Sequence, residues 1–286
     1  LTDSSAASDV YKRQEYDSAF FDKRSKFIHY FPNILAINNI EFDHADIFDD
    51  LTPILKQFSH LLRTIPANGQ VVFHENDQTT KHLVDKENWF DVYSIGNDKK
   101  FYYDETKNLF IFNGKEYDLD ELPFFGEHNY KNALMAMCLA YLCDVPYEES
   151  FQALKNYSGV KRRLEVIFHG NTHLVYDDFA HHPTALEAVS EAIKSKYASK
   201  MIGIIELASN TMKSGRHGNT LIDSTKNFDR IYFLDHENTL NDANSFSSLE
   251  KIIDDLKKVI CDYETIIIMT NKDSQIISRE IIKLCN

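Results

Sequence analysis

Beyond Gly159 the chain alternates between apolar runs of strand length and stretches with helical spacing, and no other feature limits its possible folds as much. Strands are expected at 164–168, 172–176, 201–205, 231–234 and 265–269, and helices from Pro183, near Thr220, over 249–260 and from Ser274. Such alternation builds a mostly parallel, doubly wound sheet, because a parallel neighbour can be reached only through a crossover. The fold class is therefore α/β.

The densest polar cluster falls inside this region. Asp177, Asp178, His181 and His182 lie between an apolar strand and a helix that opens on Pro183, where a missing N–H costs nothing. Leu186, Val189 and Ile193 follow at helical spacing. At the carboxyl end of a strand in an open sheet such groups border the ligand crevice, and the next helix N-terminus favours anions. A phosphate or nucleotide is the expected ligand. On the residues alone, Asp178 with His181 and His182 could equally hold a metal, which leaves a metal-dependent hydrolase open.

The earlier part reads differently. Residues 1–14 are small and polar, without periodicity, and are expected to be a foreign extension. Ile34 to Ile37 reads as a buried strand whose end runs into a polar cluster containing His44. Leu51, Ile54, Leu55, Phe58, Leu61 and Leu62 predict a helix that stops before Pro66, and Val71 to Phe73 resumes strand. From Trp89 to Leu119 short strands are expected as antiparallel sheet, with Asn113-Gly114 turning a hairpin. A helix starting near Gly126 would bury Leu134, Met137, Cys138, Tyr141 and Leu142, and a shorter one follows over about 147–156. Ser158-Gly159 is the expected boundary between two domains.

Charge and cysteine content narrow the partners. With 31 basic and 44 acidic residues the formal charge is −13, which opposes nucleic acid or an anionic membrane as the main partner. No apolar run approaches the roughly 20 residues that span a bilayer. A cytoplasmic location is expected, and Cys138, Cys143, Cys261 and Cys285, which show no paired spacing, are expected to be reduced structural thiols.

Four ordered motifs then carry a resemblance. Asn39-Ile40-Glu41-Phe42-Asp43-His44, Gly126-Glu127-His128-Asn129-Tyr130-Lys131-Asn132-Ala133, Arg162-Arg163-Leu164-Glu165 and Asp177-Asp178-Phe179-Ala180-His181-His182-Pro183-Thr184 resemble the Mur ligases of peptidoglycan synthesis in order and spacing. Within that family, stretches 15–27, 42–51 and 209–213 resemble the branch that joins the murein tripeptide, L-alanyl-γ-D-glutamyl-meso-diaminopimelate, to UDP-N-acetylmuramate during recycling. The resemblance implies an ATP-dependent carbon–nitrogen ligase working through an acyl phosphate. It also implies that residues 15–158 are the second part of a central ATPase domain and residues 159–286 a Rossmann-like C-terminal domain. No Gly-x-x-Gly-Lys-Ser/Thr sequence occurs. The N-terminal domain and the P-loop are therefore expected to be missing, and the chain by itself to be an inactive fragment.

Site roles follow from the same resemblance. ATP and Mg²⁺ are the implied cofactors. His44 matches a metal ligand and catalytic position, and Glu15, with Asp17 nearby, matches an acidic metal-binding motif. His128, Asn129 and Asn132 match the adenine side of ATP, and Arg163 matches the arginine that reaches its phosphates from the interdomain hinge. Asp178 and His181 match nucleotide-facing positions, and His182 lines the cleft beside them. Ser209, Asn210, Thr211 and Lys213 match the loop for the amine substrate. Two departures stand out: Leu207-Ala208 replaces an expected Pro-Arg after Glu206, and Thr270 to Gln275 replaces a glycine-rich run. UDP-N-acetylmuramate:L-alanine ligase and a non-catalytic nucleotide-binding or interaction module are the alternatives.

Overall fold

The computed structural model describes residues 24–41, 50–87, 89–96, 99–208 and 218–285. They divide into two compact units. The first draws on Leu1–Glu105, Phe110–Glu116 and Leu134–Tyr147, and the second on Thr106–Leu109, Tyr117–Ala133 and Glu148–Asn286.

In the first unit, strands β1 (Ile34–Ile37), β2 (Gln70–His74) and β3 (Asp91–Ile95) form a parallel sheet in that order, with helices α1 (Leu51–Leu62) and α2 (Gln78–Asp85) as crossovers. Helix α1 starts where Asp50 accepts the Thr52 N–H at 2.7 Å, and it buries Ile54, Leu61 and Leu62. Ile37, Ile54, Leu62, Val71, Phe73, Leu83 and Phe90 share one core.

Helix α2 escapes the periodicity because Gln78-Thr79-Thr80-Lys81-His82 is polar. Asp77 caps it by accepting from Thr80, and only Thr80, Leu83 and Val84 are buried. The expectation of antiparallel sheet from Trp89 onward is wrong at its start. Strand β3 pairs parallel with β2, and β4 (Phe101–Asp104), β5 (Leu109–Phe112) and β6 (Lys115–Asp118) make a separate sheet. Asn113 (φ 51°) and Gly114 (φ 81°) turn the chain between β5 and β6, as the dipeptide predicts.

Helices α3 (Glu127–Leu142) and α4 (Tyr147–Lys155) follow. Leu134, Met137 and Cys138 are buried as expected, whereas Tyr141 is exposed. All four cysteines are free, and burial pushes the Cys138 thiol up to about 12.

In the second unit the strand order is β11 (Ser245–Phe246), β10 (Arg230–Leu234), β9 (Met201–Glu206), β12 (Thr265–Met269), β8 (Leu174–Asp178), β7 (Glu165–His169). Every neighbouring pair is parallel except β7 with β8. Helices α5 (Pro183–Lys196), α6 (Gly218–Asp223), α7 (Leu249–Leu256) and α8 (Gln275–Cys285) complete the doubly wound unit. On one face, Leu186, Val189 and Ile193 of α5 and Leu221 of α6 pack on Tyr176, Ile205, Phe233 and Ile267. On the other, Ile252 and Leu256 of α7 and Ile277 and Ile281 of α8 pack on Val175, Ile204, Tyr232 and Ile268. Successive strand residues supply opposite faces, so the central strands are continuously apolar over 201–205 and 266–269, as a sheet buried on both sides requires.

Candidate functional site

The site is built at the carboxyl ends of the second unit's strands. Strand β8 runs two residues past its expected end and takes Asp177 and Asp178 into the ladder opposite Ile268 and Met269. The carboxylates are therefore buried at 4% and 2% exposure, not open to a crevice. A buried carboxylate must find donors. Asp178 accepts the Leu164 N–H on Oδ2 and the Ala180 N–H on Oδ1, each at 2.7 Å. Burial raises its pKa, while those two bonds and the charge of Arg163 pull it back.

Asp177 accepts the Ser274 hydroxyl at 2.6 Å and faces the Arg162 Nε at 3.3 Å. Arg162 also donates through Nη2 to the Thr270 carbonyl. The Thr270 hydroxyl in turn donates to Glu206 Oε2 at 2.5 Å. This network ties the backbone at 162 to the ends of β8, β12 and β9. Arg162 and Leu164 hold φ values of 59° and 48°, a left-handed conformation that side chains disfavour and that persists only where the surroundings impose it.

The start of α3 is fixed against the same unit. Gly126 has φ 95°, and a Cβ on it would lie 2.6 Å from the Cβ of Ala192 on α5, so only glycine fits. Next to it the Phe125 and Tyr197 rings meet edge to face at 6.3 Å, and the Lys196 ammonium sits 3.9 Å from the Phe125 ring centre. Asn129 donates its side-chain amide to the Phe125 carbonyl at 2.8 Å.

His128 is partly buried, and its pKa is lowered first by burial and then by the charge of Arg163. The Arg163 side chain is exposed, with its guanidinium 5.6 Å from the Phe179 ring centre. On that ring lies His181, at 5.2 Å, its Nδ1 bonded to the Phe179 carbonyl at 2.8 Å. His182 stands at the cap position of α5, without a side-chain capping bond.

Arg163 thus lies within electrostatic reach of both His128 and Asp178, and shares the Phe179 ring with His181. An exposed cation over an aromatic ring, beside a neutral imidazole and a helix start, suits an anionic group attached to a flat ring. Asn129 stands at the same helix start, but its amide N–H is spent on the chain. Asn132 is exposed. Glu15, Asp17, His44, Ser209, Asn210, Thr211 and Lys213 lie outside the described residues. Among the described residues no group of three or more His, Cys, Asp or Glu side chains is placed to hold a metal ion, so Asp178, His181 and His182 do not form one. Likewise, no helix among them is long and apolar enough to cross a membrane.

The sequence reading passed over Arg162, Glu206, Thr270 and Ser274. Arg162 stood beside a stronger candidate, and the other three act through contacts 64 to 108 residues apart in sequence. The two departures noted above have structural roles. Leu207 and Ala208 are buried at 3% and 8% exposure, and Thr270 and Ser274 supply the hydroxyls that Glu206 and Asp177 need.

Comparison with known proteins gives a consistent picture. A family described as the Mur ligase middle domain matches residues 16–140, and one described as the Mur ligase glutamate ligase domain matches residues 162–279. The UDP-N-acetylmuramate–L-alanyl-γ-D-glutamyl-meso-2,6-diaminoheptandioate ligase of Haemophilus influenzae is 39% identical over 235 residues, covering 80% of this chain and 52% of that protein. The protein of the same name from Escherichia coli is 40% identical over 232 residues, covering 79% and 51%. The chain therefore spans about half the length of the curated relatives it matches. Among solved structures, a murein peptide ligase from Psychrobacter arcticus superposes with a TM-score of 0.68 at 31% identity, covering 96% of this chain and 62% of that one. A UDP-N-acetylmuramate–alanine ligase from Thermotoga maritima shares the fold, with a TM-score of 0.64 at 20% identity over 90% of this chain and 60% of that one.

Proposed function

The chain belongs to the Mur ligase family, and from that premise we propose that it supplies part of the ATP-binding domain and the C-terminal domain of a ligase joining L-alanyl-γ-D-glutamyl-meso-diaminopimelate to UDP-N-acetylmuramate. The boundary we propose, Ser158-Gly159, falls between the two matched ranges. The tripeptide is favoured over L-alanine because the relatives named for the tripeptide are 39–40% identical, whereas the L-alanine ligases reach 27–32%.

One observation carries the nucleotide side of this reading. Arg163, exposed at the hinge, stands within electrostatic reach of His128 at the start of α3 and Asp178 at the end of β8. The residues present fit ATP: Arg163 would meet phosphate oxygens, and the lowered pKa of His128 keeps it neutral beside that cation, able to hydrogen-bond without adding charge. Mg²⁺, which neutralises triphosphate charge when bound, would be held by His44 and Glu15. Asp178 would orient the nucleotide indirectly, since its oxygens already hold the backbone at Leu164 and Ala180. The first step of the reaction, formation of an acyl phosphate on the muramate, needs the phosphate cradle of a P-loop, and no such sequence occurs in these 286 residues.

Calorimetric titration with ATP tests the reading. Arg163→Gln should weaken binding about 10-fold, the worth of one charge-assisted contact. Equal affinity in the variant would remove Arg163 from the nucleotide site. In a full-length ligase containing these two domains, the tripeptide should release phosphate from ATP and L-alanine should not.

A further inference from the structure

The chains leaving adjacent strands part company at the end of β9. Helix α6, which follows β9, packs with α5 on one face of the sheet, while the chains leaving β10 and β12 lead to α7 and α8 on the opposite face. Chain divergence of this kind opens a crevice at the carboxyl ends of the strands. Two side chains outside the nucleotide site described above meet there. Glu206 is the last residue of β9, and His236 lies just beyond the end of β10.

Each is held in place by its own partners. Glu206 is buried at 8% exposure and takes the Thr270 hydroxyl on Oε2, which leaves Oε1 facing His236. His236 Nδ1 lies 3.2 Å from the Ser247 carbonyl. A carbonyl can only accept, so Nδ1 carries a proton, and in that tautomer Nε2 is the acceptor. The neighbouring Asp235 is buried at 1% exposure and anchors the loop by accepting from the Leu240 N–H at 2.8 Å, Thr239 at 3.2 Å and Ser245 at 3.3 Å. The pair is therefore set on a braced platform.

His236 Nε2 and Glu206 Oε1 are 3.9 Å apart, too far for a direct hydrogen bond. That spacing leaves room for one donor to bond both. A carboxylate and an imidazole acceptor facing each other select a positively charged N–H donor. The imidazole is more than half exposed, so the pair is open to a ligand. We propose that Glu206 and His236 form the seat for the ammonium group of the amine substrate. This rests on the ligase reading above, and within that reading the group is the L-alanyl α-ammonium of the tripeptide.

The test is calorimetric titration of the chain with L-alanyl-γ-D-glutamyl-meso-diaminopimelate and with its N-acetylated form, which lacks the ammonium. Glu206→Gln keeps an oxygen for Thr270, and His236→Gln keeps polarity at an exposed position, so both should fold, as thermal melts will show. Each variant should weaken tripeptide binding about 10-fold, and acetylation should abolish the difference between wild type and variants. The His236 Nε2 resonance should shift on adding the tripeptide and stay still with the acetylated peptide. Equal tripeptide binding by wild type and both variants would overturn the seat and leave the ligase reading standing. Absence of any tripeptide binding to the wild-type chain would overturn both.

Discussion

Arg162 meets two demands at once: it offsets the buried charge of Asp177, and it bonds the Thr270 carbonyl just past β12. Arg162→Met would leave Asp177 buried with only Ser274 as a donor. A loss of about 3 kcal/mol in unfolding free energy is expected by urea denaturation, the usual result of removing one partner of a buried pair. Gly126→Ala should cost about 1–3 kcal/mol, because the new methyl meets Ala192 and the residue must keep a positive φ. The same measurement on Gly159→Ala should give a smaller loss, since nothing lies within 4 Å of a Cβ there. His128 adds a pH dependence. Its folded pKa is lowered from 6.5, so the unfolded chain takes up the proton first and stability falls as pH drops below about 6.5. His128→Gln should flatten that decline in a series of melts. The motif positions were legible in the sequence, but their employment was not. Asp178 looked like a ligand-binding carboxylate, and the fold has turned both its oxygens toward backbone N–H groups.

Among the elements, those with strong periodicity match their sequence expectation closely. Helix α1 and strands β1 and β12 fall where apolar spacing puts them. Helix α5 begins at Pro183, and its face of Leu186, Val189 and Ile193 is the one that is buried. Leu186 is fully buried, and Leu186→Ala should destabilise the second unit by about 2–5 kcal/mol, measurable by urea denaturation. Helix α2 was missed because its polar surface dominates eight residues and only a few side chains reach the core. Strand β3 was assigned to the wrong sheet because strand propensity carries no information about the partner. The carboxylates at the end of β8 have a related cause: polar residues usually close a strand, but here β12 offers a ladder partner and Arg162 and Ser274 offset the charge.

At the scale of the whole molecule, the two units are interleaved in sequence, with 106–109 and 117–133 counted with the later unit. The start of α3 therefore belongs with α5 and Arg163, where the residues we propose for the nucleotide gather. Incubated with ATP, Mg²⁺, UDP-N-acetylmuramate and tripeptide, these 286 residues alone should release no phosphate, because they contain no P-loop sequence; a phosphate assay checks this. In the proposed reading the exposed Arg163 meets the phosphates, so nucleotide affinity should weaken with salt more steeply in the native chain than in Arg163→Gln.

The sequence by itself determined the α/β class, the doubly wound second unit and the family. These depend on apolar period and on ordered motifs, both local properties of the chain. Tertiary structure alone decided which polar side chains stay exposed and which hold the frame. A carboxylate becomes structural or accessible according to the donors that the fold brings to it from distant positions. Ser274 for Asp177, Thr270 for Glu206 and His236 opposite Glu206 are such pairings, and no spacing within one segment encodes them.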